Sequence, residues 1–210
     1  MKLSGELIAR TGLGLLNEVG LDGLTMRLLA KELGVQAAAL YWHLKDKRQL
    51  LDAMAGLMFH DLNERLEAPR KGVDWADWIG DRVRDTRAMM LKYRDGARVF
   101  AGTYIAESEL PRSIEITLAT LVDGGFSPRD AARGFSTLFN YAIGFTIEEQ
   151  SRSGADYPEA NPYGRGRTID AQRFPLAAQA AGDLFIAGDA GFDDGLQTII
   201  AGLRARYLTG

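Results

Sequence analysis

The sequence predicts an all-α chain of about nine to ten helices, with a three-helix head over residues 1–46 and a larger helical body over 47–210. Two observations predict it. Apolar residues recur at helical spacing through most of the 210 residues, with no β alternation, and helix-cap signals punctuate them. The apolar share of 46% supports a real core, and the absence of cysteine excludes a disulfide framework and a thiolate metal site.

The elements follow in order. Leu7, Ile8, Leu13, Leu15, Leu16 and Val19 form the stripe of a first helix that Gly20 ends. Gly12 and Gly14 inside it each cost about 1 kcal/mol of helix propensity, so close packing is expected at both. Asp46 with Gln49 is a capping box that starts a fourth helix running to about Leu66. Pro69, Lys71 and Gly72 mark a break, and Trp75 to Tyr93 is a long amphipathic helix ended by Asp95-Gly96. Pro111 to Val122 is the next, closed by Gly124-Gly125. Ser127-Pro128, an N-cap followed by proline at the first helical position, starts a helix to about Gln150. Ser151 to Arg173 is rich in Gly, Pro and Asn without periodicity and predicts a loop, before two helices over Pro175 to Ala187 and Phe192 to Tyr207.

Between the first and fourth helices lies the spacing of a helix-turn-helix. Ala30 is small enough for a close crossing, Gly34 stands four later for the left-handed turn, and Leu40 fills the shared core six after that, with Leu28, Leu29, Leu33 and Val35 around it. The face left over carries Arg27, Gln36, Ala37, Ala38, Tyr41, Trp42, His43 and Lys47. Its chemistry is that of duplex DNA. Arg pairs with guanine, Gln with adenine and a methyl side chain meets thymine, so Arg27, Gln36 and Ala37 are expected to specify sequence, while Ala38 keeps the helix thin. Tyr41, Trp42, His43 and Lys47 suit phosphate oxygens and would position the protein. The alternative is an ordinary helical hairpin with Tyr41 and Trp42 in the core, although adjacent aromatics on a helix cannot both face one core.

Net charge divides along the chain in the same sense. The overall value is −3, yet Met1 to Arg48 holds seven Lys and Arg against five Asp and Glu, so the head is positive and the body acidic. DNA binding should therefore be local to the head and weakened by salt. No run approaches the roughly 18 apolar residues of a membrane span, and Met1-Lys-Leu-Ser-Gly-Glu has no signal-peptide core. The bacterial cytoplasm is the expected location, with no membrane association.

Leu24-Thr25-Met26-Arg27 ahead of Leu29-Ala30, then Leu40 through Arg48 and Leu50-Leu51-Asp52-Ala53, resembles the DNA-binding head of tetracycline-repressor family regulators. The run Lys92-Tyr93-Arg94-Asp95-Gly96-Ala97-Arg98-Val99 with Gly102-Thr103 is similar to a segment of the tetracycline repressors themselves, as are Gly125-Phe126-Ser127, Arg129-Asp130, Gly144 and Glu148-Glu149-Gln150. The likeness covers nearly the whole chain and thins after Gln150. It implies a ligand-responsive repressor of an exporter gene, bound to a palindromic operator, with Thr25 joining the DNA-contacting set. It also implies a body that binds an effector and dimerises. Two helices from each of two copies, 128–150 and 192–207, would build the dimer, with Phe192, Leu196, Ile199, Ile200, Leu203 and Tyr207 as one stripe and Gly195 and Gly202 allowing close approach. Phe135, Leu138, Phe139, Ala142, Ile143 and Phe145 spread around the earlier helix as the other stripe, and intrachain core is the alternative for both.

Matching segments place an effector pocket at Asn63, Arg82, Thr86, Phe100, Thr103, Tyr104, Thr117, Phe139 and Glu148, a mixed lining suited to a flat, partly polar, aromatic or polyketide-like molecule. The tetracycline repressors hold a magnesium-drug chelate with a histidine where this chain has Phe100, and a lone carboxylate at Glu148 is not a metal site. Magnesium-tetracycline is therefore not the expected effector, and no cofactor or metal is expected. Arg82 and Thr86 also replace the amide and the aromatic of those repressors. Arg82 would pair with an anionic or phenolic ligand group, or else bridge Asp85 or Asp81 on its own helix. The segment Asp95 to Thr103 would pass the ligand signal to the helix from Asp46.

Catalytic patterns are poor by comparison. His43 and His60 belong to no evident nucleophile-base arrangement, and no strand precedes Gly12-Leu-Gly14 to make a nucleotide loop. Asp189 to Gly195 resembles the start of a calcium loop, but Gly191 and Ile200 stand where ligands belong, so Asp193 reads as the cap of the last helix. An all-helical small-molecule-binding protein or enzyme without operator binding is the other class that the sequence leaves open.

Overall fold

A computed structural model describes residues 3–64, 66–103, 110–153, 169–181, 183 and 188–208. They form ten helices and no strand: α1 Gly5–Gly23, α2 Met26–Glu32, α3 Ala37–Leu40, α4 Lys47–Asn63, α5 Trp75–Leu91, α6 Gly96–Phe100, α7 Leu110–Asp123, α8 Pro128–Ser153, α9 Pro175–Ala180 and α10 Gly188–Tyr207. Among the described residues no helix is long and apolar enough to cross a membrane.

The head forms because its local signals agree. Ser4 caps α1 through Leu7 N, Thr25 caps α2 through Leu28 N, and Asp46 caps α4 through Gln49 N. Gln49 returns its Oε1 to the N–H of Lys45, one residue before the cap. At the end of α2, Gly34 adopts φ 67°. Val35 N then reaches Ala30 O and Gly34 N reaches Lys31 O, the paired bonds of a Schellman turn that aims α3 across α2. Leu29 and Leu40 are fully buried where the helices meet.

The body stacks α5 against α8 and α10, with α6 wedged between α4, α5 and α8. The same Schellman logic ends α7. Gly125 at φ 102° lets Phe126 N reach Leu121 O, and the buried Phe126 ring meets Trp75 edge-on at 4.8 Å. Arg87 of α5 grips Glu149 of α8 through two bonds of 2.7 and 2.9 Å and Asp189 of α10 through one of 2.7 Å. Three helices are thereby tied at one point.

Several boundaries differ from the sequence expectation. Gly20 breaks α1, with φ 69° and ψ 176°, but the chain resumes helical turns to Gly23. Gly12 packs closely, since a Cβ there would lie 2.9 Å from Met54 Sδ, whereas Gly14 is exposed with nothing within 4 Å and gains no packing to offset its propensity cost. α3 spans only four residues, and Tyr41 to His43 form a turn rather than more helix. α4 stops at Asn63 instead of near Leu66, and α6 is a short helix in what periodicity left as a connection. α8 extends to Ser153, into the segment expected to be loop; residues 154–168 of that segment lie outside the described residues. α9 is described over Pro175–Ala180, and residues 182 and 184–187 of the expected stretch to Ala187 lie outside the described residues.

The last helix carries two corrections. α10 begins at Gly188, so Asp193 is not its cap; it sits within the helix and accepts from Arg84 Nε at 2.7 Å. Phe192, Leu196, Ile200 and Leu203 are buried inside one chain, and Gly195 lies under the Tyr141 ring of α8. That stripe is intrachain core and is not available to a second copy.

Candidate functional site

Two surfaces carry the residues singled out by the sequence. On the head, Thr25, Arg27, Gln36, Ala38, Tyr41, Trp42 and His43 are exposed on one tip, and Ala37 is half-buried against the core. Trp42 is 90% exposed and Tyr41 52%, although the adjacent Leu40 and Leu44 are buried. Leu40 and Leu44, four residues apart, face in, and Tyr41 and Trp42 between them face outward from the turn after α3. Lys47 behaves differently. It is half-buried, and its Nζ donates to Leu21 O at 2.8 Å, tying the start of α4 to the end of α1.

In the body, side chains from five helices line a narrow, partly open cavity with about 40 Å³ of room for the centre of a water-sized sphere. Phe59 and Leu62 come from α4, Ile79, Arg82, Val83 and Thr86 from α5, and Phe100 from α6. Ser113 and Thr117 of α7 and Phe135, Phe139 and Ala142 of α8 complete it. The Phe139 ring stands at 5.9 Å from Phe100 and 5.7 Å from Phe135, making one aromatic wall. Apolar groups dominate the lining, as in small-molecule sites generally.

The polar end is a connected hydrogen-bond set. Arg82 Nη2 donates to Asn63 Oδ1 at 2.8 Å, Ser113 Oγ donates to the same oxygen at 3.1 Å, and Asn63 Nδ2 donates to Phe59 O at 2.7 Å. Thr86 Oγ1 donates to Arg82 O and Thr117 Oγ1 to Ser113 O, each at 2.8 Å. Burial pushes the Arg82 guanidinium below the usual arginine pKa, and the nearby Asp85 charge opposes that shift. Neither Asp85 nor Asp81 makes an ion pair with Arg82 among the described residues; Asp81 pairs with Arg84.

Of the nine residues expected at this site, Arg82, Thr86, Phe100, Thr117 and Phe139 line the cavity, and Asn63 lies just behind it, almost fully buried. Thr103 is half-buried beside the cavity and donates to Phe100 O at 2.9 Å. Tyr104 lies outside the described residues. Glu148 is exposed, pairs with Arg152 at 3.4 Å and does not reach the cavity. The lining residues that sequence reasoning missed, such as Phe59, Ile79 and Phe135, are apolar side chains at helical spacing, and nothing in that spacing tells a cavity wall from solid core.

A third feature lies between the two. Asp95, at φ 56°, accepts the Leu21 N–H at 2.9 Å, and Arg94 N donates to Asn17 Oδ1 at 2.8 Å. Gln150 of α8 bonds Met90 O, Tyr93 O and Ala97 N on the other side of the same turn. The turn from Tyr93 to Ala97 is therefore held at once by the end of α1 and by α8, and α6 runs from it to the cavity wall at Phe100.

Known proteins resemble this chain in both the head and the body. The family described as "Bacterial regulatory proteins, tetR family" matches residues 8–54, and the one described as "Tetracyclin repressor-like, C-terminal domain" matches 68–207. The chain is 40% identical to the tetracycline repressor protein class C of Escherichia coli, over 99% of this chain and 94% of that one. Its fold is similar to a possible TetR family transcriptional regulator of Streptomyces coelicolor, with a TM-score of 0.82 and 35% identity over 96% of this chain and 99% of that one. The TetR family protein ActR of Streptomyces coelicolor, solved in complex with actinorhodin, has the same TM-score of 0.82 at 31% identity, over 98% of each chain. With both family regions matched and a near-full-length relative at this identity, the chain belongs to the tetR family of bacterial regulatory proteins, DNA-binding transcriptional repressors with a helix-turn-helix head.

Proposed function

We propose that this chain represses transcription in the bacterial cytoplasm by binding a palindromic operator as a homodimer, and that a small aromatic or polyketide-like effector in the body cavity releases it. One observation carries this. The tip holding Arg27, Gln36, Tyr41 and Trp42 is exposed with no packing role in the head, while the body encloses an apolar cavity whose wall, at Phe100, is linked through α6 to the end of α1. In this division residues 1–46 bind DNA, and 47–210 bind effector and partner.

Arg27, Gln36 and the two alanines Ala37 and Ala38 meet base edges, and Thr25, Tyr41, Trp42 and His43 meet phosphates. Lys47 contributes through its remaining donors, since one is already given to Leu21 O. The partner chain packs on the outward faces of α8 and α10, where Gly144 and Gly202 have open space and Ile143 and Ile199 are only half-buried. A two-fold pair reads two half-sites, which one four-residue recognition helix needs for useful affinity. The regulated gene is that of an exporter of the effector.

The cavity lining argues against a magnesium-tetracycline chelate as effector. Among the described residues it offers no carboxylate and no imidazole, its one ionic group is the Arg82 cation, and Phe100 has no atom to give a metal. No enzymatic role belongs to this function: His43 and His60 are both exposed, on separate elements. The test is a fluorescence-anisotropy titration of the promoter region beside the gene over a salt series. Specific binding that weakens with salt and is lost in Trp42→Ala supports repression. Absence of binding to any operator-like sequence favours a small-molecule-binding protein that does not read DNA.

A further inference from the structure

Resting on the effector-cavity reading, we propose that the effector is a hydroxylated planar aromatic acid: its anionic oxygen meets Arg82 and its hydroxyls donate to Thr86 and Thr117. The hydrogen-bond inventory of the cavity points to this class. A hydroxyl owns one proton, and all three lining hydroxyls have already committed theirs: Thr86 to Arg82 O, Thr117 to Ser113 O and Ser113 to Asn63 Oδ1. What Thr86 and Thr117 still offer a ligand is lone pairs. In this arrangement they accept from a ligand.

Arg82 is the opposite case. A guanidinium has five N–H donors, and the bond that engages it here goes to a neutral amide oxygen, Asn63 Oδ1. Its charge has no carboxylate within ion-pair distance among the described residues, in contrast to Arg84 and Arg87 on the same helix, which have two acidic partners each. The exposed Asp85 acts on it only at longer range. A half-buried cation beside Ile79, Val83 and Phe100 gains most from an anionic oxygen, because the apolar walls weaken water's competition. Asn63 cannot turn to compete as a donor there, since its amide nitrogen is fixed on Phe59 O. The aromatic wall of Phe100, Phe135 and Phe139 sets the flat shape. Together the cavity reads one acceptor of high charge at one end and donors along one edge.

The experiment uses two matched probes, 1,8-dihydroxyanthraquinone-3-carboxylate and its neutral 3-hydroxymethyl analogue, titrated calorimetrically into the full-length protein. The expected result is a preference of about tenfold or more for the carboxylate in the wild type. In Arg82→Gln, which keeps a donor for Asn63 but removes the charge, that preference falls to about twofold or less. Equal affinity of the wild type for both probes, or an undiminished preference in Arg82→Gln, overturns the proposal. The wild-type ratio needs no variant to fold, and Thr117→Val, expected to weaken both probes alike, checks the hydroxyl edge separately. Failure of either probe to bind at all overturns the cavity reading together with this one. A carboxylate preference without operator release leaves the proposal standing and overturns release.

Discussion

Asp95 and Leu21 are joined by a 2.9 Å hydrogen bond from the Leu21 N–H to the carboxylate Oδ2, across 74 positions of sequence. The bond falls beside the break in α1, where Gly20 leaves the helical region. It joins the last turn of the head's first helix to the turn that precedes α6. Replacing Asp95 by Ala orphans a part-buried N–H and removes the Arg98 contact. Asp95→Ala should lower stability by about 1–3 kcal/mol in urea unfolding. It should also narrow the difference in operator affinity between effector-free and effector-bound protein, read by anisotropy. An unchanged difference would remove this bond from the signal path.

Two glycines should respond with opposite sign. Gly14 is exposed inside α1 with nothing near its missing Cβ, so Gly14→Ala should raise stability by about 0.5–1 kcal/mol through helix propensity alone. At Gly96 a Cβ would collide with the Met90 carbonyl oxygen, so Gly96→Ala should lower stability by about 1–3 kcal/mol. Urea midpoints of the two variants check both.

The Arg87–Glu149 pair is the most enclosed ion pair described, with side chains 10% and 13% exposed. Glu149→Gln leaves the guanidinium with Asp189, which is 92% exposed, and with the Phe192 ring 4.9 Å away. A loss of about 3 kcal/mol is expected, the low end for breaking a buried pair from one side. Glu6→Ala, which removes an exposed i,i+4 pair with Arg10, should cost less than about 0.5 kcal/mol. Similar losses in the two variants would mean that burial does not set the strength of these pairs.

Alkaline pH should destabilise the body through Tyr141. Its hydroxyl donates to Phe192 O at 2.8 Å, and burial raises its pKa above the ordinary 10.0, with Arg87 opposing and Asp194 and Asp193 adding. The folded state therefore holds this proton more tightly than the unfolded chain does. The contribution is complete below pH 10 and is lost as pH rises through the folded value. Urea midpoints should be flat approaching pH 10 and fall above it, and Tyr141→Phe should flatten that fall, leaving the part due to Tyr93, which burial also raises.

Local chemistry made the head and the start of α8 legible before any tertiary contact was considered. Gly34 at a left-handed turn, Asp46 capping Gln49, and Ser127 ahead of Pro128 are each settled within a few residues, and each stands in the structure as the sequence predicts. The all-helical class follows from the same short-range periodicity. Tertiary structure alone decided what lies farther apart. Periodicity marks that Phe192, Leu196, Ile200 and Leu203 share a face but not which neighbour covers it, and here α5 and α8 of the same chain do. Asp193 looked like a cap and is instead a partner of Arg84, 109 positions away, and Arg82 faces Asn63 rather than an acidic residue of its own helix. α6 is too short to have a period, and its start depends on Gly96 seating against Met90 O. A helix is specified by bonds spanning four residues, whereas a cavity is specified by the volume left between five helices, and no window along the chain holds that quantity.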